Sequence, residues 1–307
     1  MKRTAVLIAL AIAVLASACA GSGARQNPET FEVTDRYGQP LTVPADIGRI
    51  VCIAPAAADI LVDLGLGEKI IAVDYYSSLK SGIPESLPVF DLMSPDAEQI
   101  AALEPDAVIS SGMSAAGGEH PLSPLAAMGI CLIDIPMANS IDDIRSDIRF
   151  LGEVTRTSEA ADAIIAGMDA QIEEIQAAVS YSSYLPSVYF EVTSYGPYSC
   201  GSDTFIDEML KIAGCQNIFS HIEGWLLVSE EAVLAADPDI IFTSADDGFD
   251  PVESITGRAG WDAVEAVRDG RVFAVDPDAC SQPNHKVVTA LRQMAEARGV
   301  SVSDSAQ

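Results

Sequence analysis

Residues 98–111 read EQIAALEPDAVISS, and residues 231–244 read EAVLAADPDIIFTS. The two stretches align without a gap: an acidic head, apolar positions at helical spacing, a Pro-Asp pair, then an apolar run ending in hydroxyl residues. Proline cannot continue a helix, so each stretch reads as a short helix, a Pro-Asp turn and a buried strand. The same unit in both halves of the chain predicts two related α/β lobes. The leading glutamates, Glu98 and Glu231, are not required by helix–turn–strand grammar. Each stands two places after a good N-cap residue, Asp96 or Ser229. A carboxylate in a first helical turn gains about 0.3–1 kcal/mol from the helix dipole, which would account for either one alone. Their matched placement in both units marks them as a pair.

The rhythm extends on both sides. Residues 31–43, FEVTDRYGQPLTV, predict two short strands around a Tyr-Gly turn. A continuous apolar strand follows at 49–53, a helix with Ile60, Leu61 and Leu64 closed by Gly65, and a strand at 70–73. Further strands are expected at 107–109 and 131–135. Continuously apolar strands alternating with helices imply a parallel sheet covered on both faces. Residues 157–179 carry Ile164, Ile165, Met168, Ile172, Ile175 and Val179 at helical spacing, with acids and glutamines opposite. This long helix is expected to join the lobes. Beyond it come a strand at 188–192, helices at 204–212 and 230–236, strands at 240–243 and 272–275, and a last helix at 287–298. The expected fold is α/β: two Rossmann-like lobes joined by a single long rigid helix, with a ligand cleft between them. The expected boundaries are 31–156 for the first lobe, 157–180 for the connecting helix, 181–300 for the second lobe and 301–307 for a tail.

The N-terminus reads as an export signal. Lys2 and Arg3 precede a short apolar run, too short to span a membrane, and then Ser17-Ala18-Cys19. The stretch Leu15-Ala16-Ser17-Ala18-Cys19 resembles a bacterial lipobox, which implies cleavage after residue 18 and a lipid on Cys19. An ordinary cleaved signal is the alternative. Residues 19–30 are then a small, polar tether. Five further cysteines, Cys52, Cys131, Cys200, Cys215 and Cys280, show no metal-binding spacing, and Cys52 and Cys131 sit in apolar runs that read as buried strands. An odd number leaves at least one thiol free within the chain.

The 307 residues carry 45 Asp+Glu against 17 Lys+Arg, a formal net charge of −28. That balance argues against nucleic acid or an anionic lipid surface as a partner. No GxSxG, HExxH or P-loop pattern points to an enzyme. The three histidines, His120, His221 and His285, are far apart in sequence, which disfavours capture of a bare Zn²⁺ or Mn²⁺. No resident cofactor or metal is expected.

Six stretches in order resemble the iron-chelate and cobalamin substrate-binding proteins of ABC importers, the helical-backbone type with two lobes joined by one helix. They are FEVTDRYGQPLTVP, RIVCIAPAAADILVDLGLGEKIIAV, DAEQIAALEPDAVISS, GSDTFIDEMLKIAGCQNIF, WLLVSEEAVLAADPDII and WDAVEAVRDGRVFAVD. The resemblance covers about residues 31–298. It implies a monomeric, extracytoplasmic, membrane-anchored protein that captures a metal chelate and docks on an importer permease. In that family one surface glutamate per lobe meets permease arginines, and the motif assigns Glu98 and Glu231. Glu230 is adjacent, but the repeat selects Glu231.

The same resemblance places the ligand between the lobes, on loops after strand ends. Tyr76 and Trp225 match aromatic positions of the family's cobalamin binder, with Tyr75, Tyr195 and Tyr198 as further candidates. Leu92 stands where that binder has a tryptophan. The candidate loops lack arginine, with Lys80 and Lys286 only at their edges. Paired arginines would suit a catecholate, and cations would suit the propionates of haem. The expected ligand is therefore a corrinoid or a neutral-to-cationic iron chelate, with haem or a bare metal ion as the alternative. His120 is a candidate to cap a bound iron or cobalt. An exported enzyme and a non-transporting receptor are the remaining readings.

Overall fold

A computed structural model describes residues 29–115, 120–181, 183–193, 196–246 and 248–302. The expected export signal and Cys19 lie outside the described residues, as does Tyr195. The first described element is a hairpin of β1 (Thr30–Thr34) and β2 (Pro40–Pro44). The first lobe follows: β3 (Ile50–Ile53), α1 (Pro55–Asp63), β4 (Ile70–Asp74), α2 (Tyr75–Ser78), β5 (Val89–Phe90), α3 (Ala97–Ala102), β6 (Ala107–Ser111), α4 (Pro124–Ala127), β7 (Cys131–Ile135) and α5 (Ile141–Val154). Its five strands form a parallel sheet in the order β5-β4-β3-β6-β7. All four residues of β3 are buried, as its unbroken apolar sequence requires of a central parallel strand.

After α6 (Ser158–Ser180) the second lobe contains β8 (Ser187–Glu191), β9 (Tyr198–Cys200), α7 (Phe205–Ile212), β10 (Gln216–Asn217), β11 (Trp225–Leu227), α8 (Glu230–Ala236), β12 (Ile240–Thr243), α9 (Pro251–Thr256), α10 (Glu265–Arg268), β13 (Val272–Ala274), α11 (Pro277–Ser281) and α12 (Val287–Ala297). A parallel sheet runs β10-β8-β12-β13, and β9 and β11 form a separate antiparallel pair.

The repeat is structural as well as sequential. Glu104 and Asp237, each just before the Pro-Asp proline, both take left-handed backbone with φ of 48° and 43°. Asp106 Oδ2 accepts from the Gly48 and Arg49 amides at the start of β3. Asp239 Oδ2 accepts from the amide and hydroxyl of Ser187 at the start of β8. Each Pro-Asp aspartate thus pins the strand beside its own and fixes parallel register.

The long helix is more than a spacer. Ala161, Ile165, Met168, Ile172 and Ile175 are buried along one stripe, within one apolar core shared by residues of both lobes. It packs on α5 at one side and on α12 and α7 at the other. Close approach to α5 depends on Gly152, where an added Cβ would lie 2.4 Å from that of Ala161. Twenty-three residues of regular helix span about 35 Å. No helix among the described residues is long and apolar enough to cross a membrane.

Candidate functional site: a cleft at the strand ends and two exposed glutamates

Parallel sheets leave a crevice outside the carboxyl ends of their strands. In the first lobe, β4 ends at Asp74, which is buried and caps α2. Its Oδ1 accepts from the Ser77 amide at 3.0 Å, and its Oδ2 accepts from the Ser77 hydroxyl. Burial holds the Asp74 carboxyl above the usual carboxylate range, partly offset by these bonds. The helix presents Tyr75 and Tyr76, 61% and 53% exposed. Their rings meet edge-on, 5.6 Å between centroids.

In the second lobe Trp225 belongs to a strand and not to the loop expected for it. It pairs with Cys200 in the β9–β11 ribbon. Its ring is half-buried, stacked on Tyr198 at 6.3 Å and 12° and met by Phe205 at 6.1 Å. Tyr198 therefore packs within its lobe while fastening Trp225.

Leu92 is half-buried, and its carbonyl accepts from the Ser114 hydroxyl at 2.7 Å. Beside it the loops after β5, β6 and β7 expose Met93, Met113 and Met137. These three thioethers were not anticipated. A methionine shortly after each of three strands was the available signal, and such side chains adapt to irregular apolar ligands.

Among the described residues, Lys80, Lys286 and Arg258 near the strand ends are each engaged by a carboxylate. Lys80 lies 3.2 Å from Asp59 and 2.7 Å from Asp278, and Lys286 lies 2.5 Å from Asp59. Arg258, just beyond α9, reaches the end of β8 although the loops themselves lack arginine. Its two terminal nitrogens donate to the two oxygens of fully buried Glu191, each at 2.7 Å. Tyr189 donates to the same carboxylate at 3.1 Å.

His120 is also committed. Its Nδ1 accepts from the Leu122 amide at 3.1 Å, which places the ring proton on Nε2. Nε2 lies 3.2 Å from both Asp134 Oδ1 and Ser110 Oγ, and Ser110 donates to Asp134 at 2.7 Å. In this tautomer the Nδ1 lone pair is taken up by the Leu122 amide and Nε2 carries the proton toward Asp134. Among the described residues, no group of three or more His, Cys, Asp or Glu side chains could hold a metal ion. All five described cysteines are free thiols, four buried and Cys131 half-buried.

Glu98 and Glu231 occupy the second position of α3 and α8. Asp96 caps the first helix through the Gln99 amide, and Ser229 caps the second through the Ala232 amide. Both glutamates are exposed, and neither makes a salt bridge among the described residues. Glu230 instead accepts from the indole of buried Trp261 at 3.2 Å.

The structure thus has two α/β lobes on one helix, exposed Tyr75 and Tyr76 on the first, half-buried Trp225 on the second, and one exposed glutamate heading a matched helix in each. A model of the periplasmic binding protein family matches residues 50–279, and the chain belongs to that family. It is 28% identical over 307 residues to the ABC transporter substrate-binding lipoprotein YvrC of Bacillus subtilis, covering 96% of each chain. It is 26% identical to a cobalamin-binding protein of Halobacterium salinarum, covering 96% of this chain and 84% of the other. A structure of a possible iron-binding periplasmic protein from Staphylococcus epidermidis superposes with a TM-score of 0.73. That pair is 26% identical, over 83% of this chain and 99% of that one.

Proposed function

We propose that this chain is the extracytoplasmic binding protein of an ABC importer, anchored by a lipid on Cys19, and that its ligand is a bulky chelated metal. A corrinoid fits first and a neutral-to-cationic iron chelate second. The observation that carries this reading is the pairing of exposed Tyr75 and Tyr76 and half-buried Trp225 with spent cations. Tyr75, Tyr76 and Trp225 offer flat apolar area, while Lys80, Lys286 and Arg258 are neutralised by the protein's own carboxylates. A catecholate siderophore or the propionates of haem would need cations that this crevice has already used. The names of the cobalamin-binding and iron-binding relatives support the same class of cargo. Delivery is assigned to Glu98 and Glu231, one on each lobe, reaching a permease mouth together; the protein works as a monomer.

Native mass spectrometry of the protein from residue 20, incubated with hydroxocobalamin, a hydroxamate iron chelate, a catecholate iron chelate and haem, tests this. A one-to-one complex with the corrinoid or the hydroxamate is expected. Retention of the catecholate or haem alone would overturn the charge argument.

A further inference from the structure

The carboxylates that neutralise Lys80 and Lys286 also bridge the two lobes. Asp59 and Asp63 stand one helical turn apart on α1, on a common face. Asp59 is 3% exposed. Its Oδ1 accepts from Lys286 Nζ at 2.5 Å and its Oδ2 from Asn284 Nδ2 at 3.1 Å, both from the second lobe. Lys80 of the first lobe sits 3.2 Å from the same Oδ2 and donates across the seam to Asp278 at 2.7 Å. One turn later Asp63 Oδ2 meets His285 Nε2 at 2.7 Å. A cavity of about 230 Å³ lies among Asp59, Lys80, Asp276, Asp278, Asn284 and Lys286.

This seam differs in kind from the contact through α6. There, the apolar stripe of α6 packs on α5 of the first lobe and on α7 and α12 of the second, and such packing does not part without loss along its whole length. At Asp59 the lobes are held by directional charge pairs beside a polar gap. Burying these charges is unfavourable unless each keeps its partner. Small rotations can make or break such contacts as a set. We propose that Asp59 is the centre of an inter-lobe lock that sets the aperture of the cleft, with α6 as hinge and the chain of pairs Asp278–Lys80–Asp59–Lys286 as latch. Asp59 is thus a positioning residue, acting on the ligand through the spacing of the two walls. The inference stands whatever the cargo is.

Spin labels at Glu85→Cys in the first lobe and Asp262→Cys in the second report the aperture by double electron–electron resonance. Cys131→Ser removes the half-buried native thiol, and Glu85→Cys with Met128→Cys gives a control distance within one lobe. The unaltered lock should give one narrow inter-lobe distribution. Asp59→Asn should broaden it and shift it to longer distance, leaving the control unchanged. Lys286→Gln with Asp278→Asn breaks the cross-seam pairs at more exposed positions, should shift it the same way, and decides the matter if Asp59→Asn does not fold. An inter-lobe distribution unchanged in the folded variants would overturn the proposal, as would equal broadening of the control.

Discussion

The rings of Tyr198 and Trp225 lie 12° from parallel with centroids 6.3 Å apart, and the strand that carries Trp225 runs directly into the helix that carries Glu231. One rigid ribbon therefore links the aromatic wall of the second lobe to its exposed carboxylate. The first lobe repeats the arrangement more loosely, with Met93 a few residues before Glu98.

Trp225 should report ligand binding. The other tryptophan, Trp261, is fully buried between Tyr189 and Arg258 and should be silent. In a Trp261→Phe background, emission should change on titration with hydroxocobalamin. Trp225→Ala should weaken binding by about 1–3 kcal/mol, the scale of a large buried contact. Affinity that ignores both Trp225 and Tyr76 would remove this wall from the site.

Asp74→Ala should cost about 0.5–2 kcal/mol of stability through the lost cap of α2. It should also weaken the ligand, because α2 holds Tyr75 and Tyr76. Thermal melting and calorimetric titration on the same variant separate the two effects. A loss of stability with unchanged affinity would place both rings outside the contact.

Arg258→Ala leaves the Glu191 carboxylate buried without its cation. Removing one partner of a buried pair costs about 3–5 kcal/mol, so urea unfolding should show a large loss. Arg258→Lys should recover part of it, since charge returns without the two-pronged geometry. A near-neutral Arg258→Ala would mean that water compensates Glu191.

Burial holds the His285 imidazole below its usual value, outweighing the opposing pull of Asp63. A lowered folded value means that the unfolded chain binds the proton more readily, so stability rises with pH in this window. The His285 contribution should be present above about pH 6.5, the ordinary histidine value, and fall away as pH drops through the folded value. His285→Gln should flatten that part of the stability profile. An unchanged profile would assign the acid sensitivity elsewhere.

The parallel strands were legible because a strand buried on both faces is written as an unbroken apolar run, as in IVCI of β3. The 23-residue helix was legible from its long stripe. The 14-residue α5 went unread, although Ile141, Ile144, Ile148 and Leu151 follow helical spacing after Ser140. Five charged residues between Asp142 and Arg149 dilute its apolar stripe. The strand character of Trp225 depends on pairing with Tyr198–Cys200, a long-range contact with no local mark. Asp59 was hidden for the same reason: its partners Asn284 and Lys286 lie at the other end of the chain. The Glu98–Glu231 pair was visible only because the lobes repeat.

Separation of capture from delivery is most directly tested by Glu98→Lys combined with Glu231→Lys. Each lysine in a first helical turn should lower stability only slightly, about 0.3–1 kcal/mol. Both side chains are exposed on the first turns of α3 and α8 and make no salt bridge among the described residues. Ligand affinity should therefore stay near that of the unaltered protein while uptake by cells carrying the cognate permease is lost, with single reversals intermediate. Normal uptake by the double variant, with normal affinity and melting temperature, would contradict docking through these two glutamates.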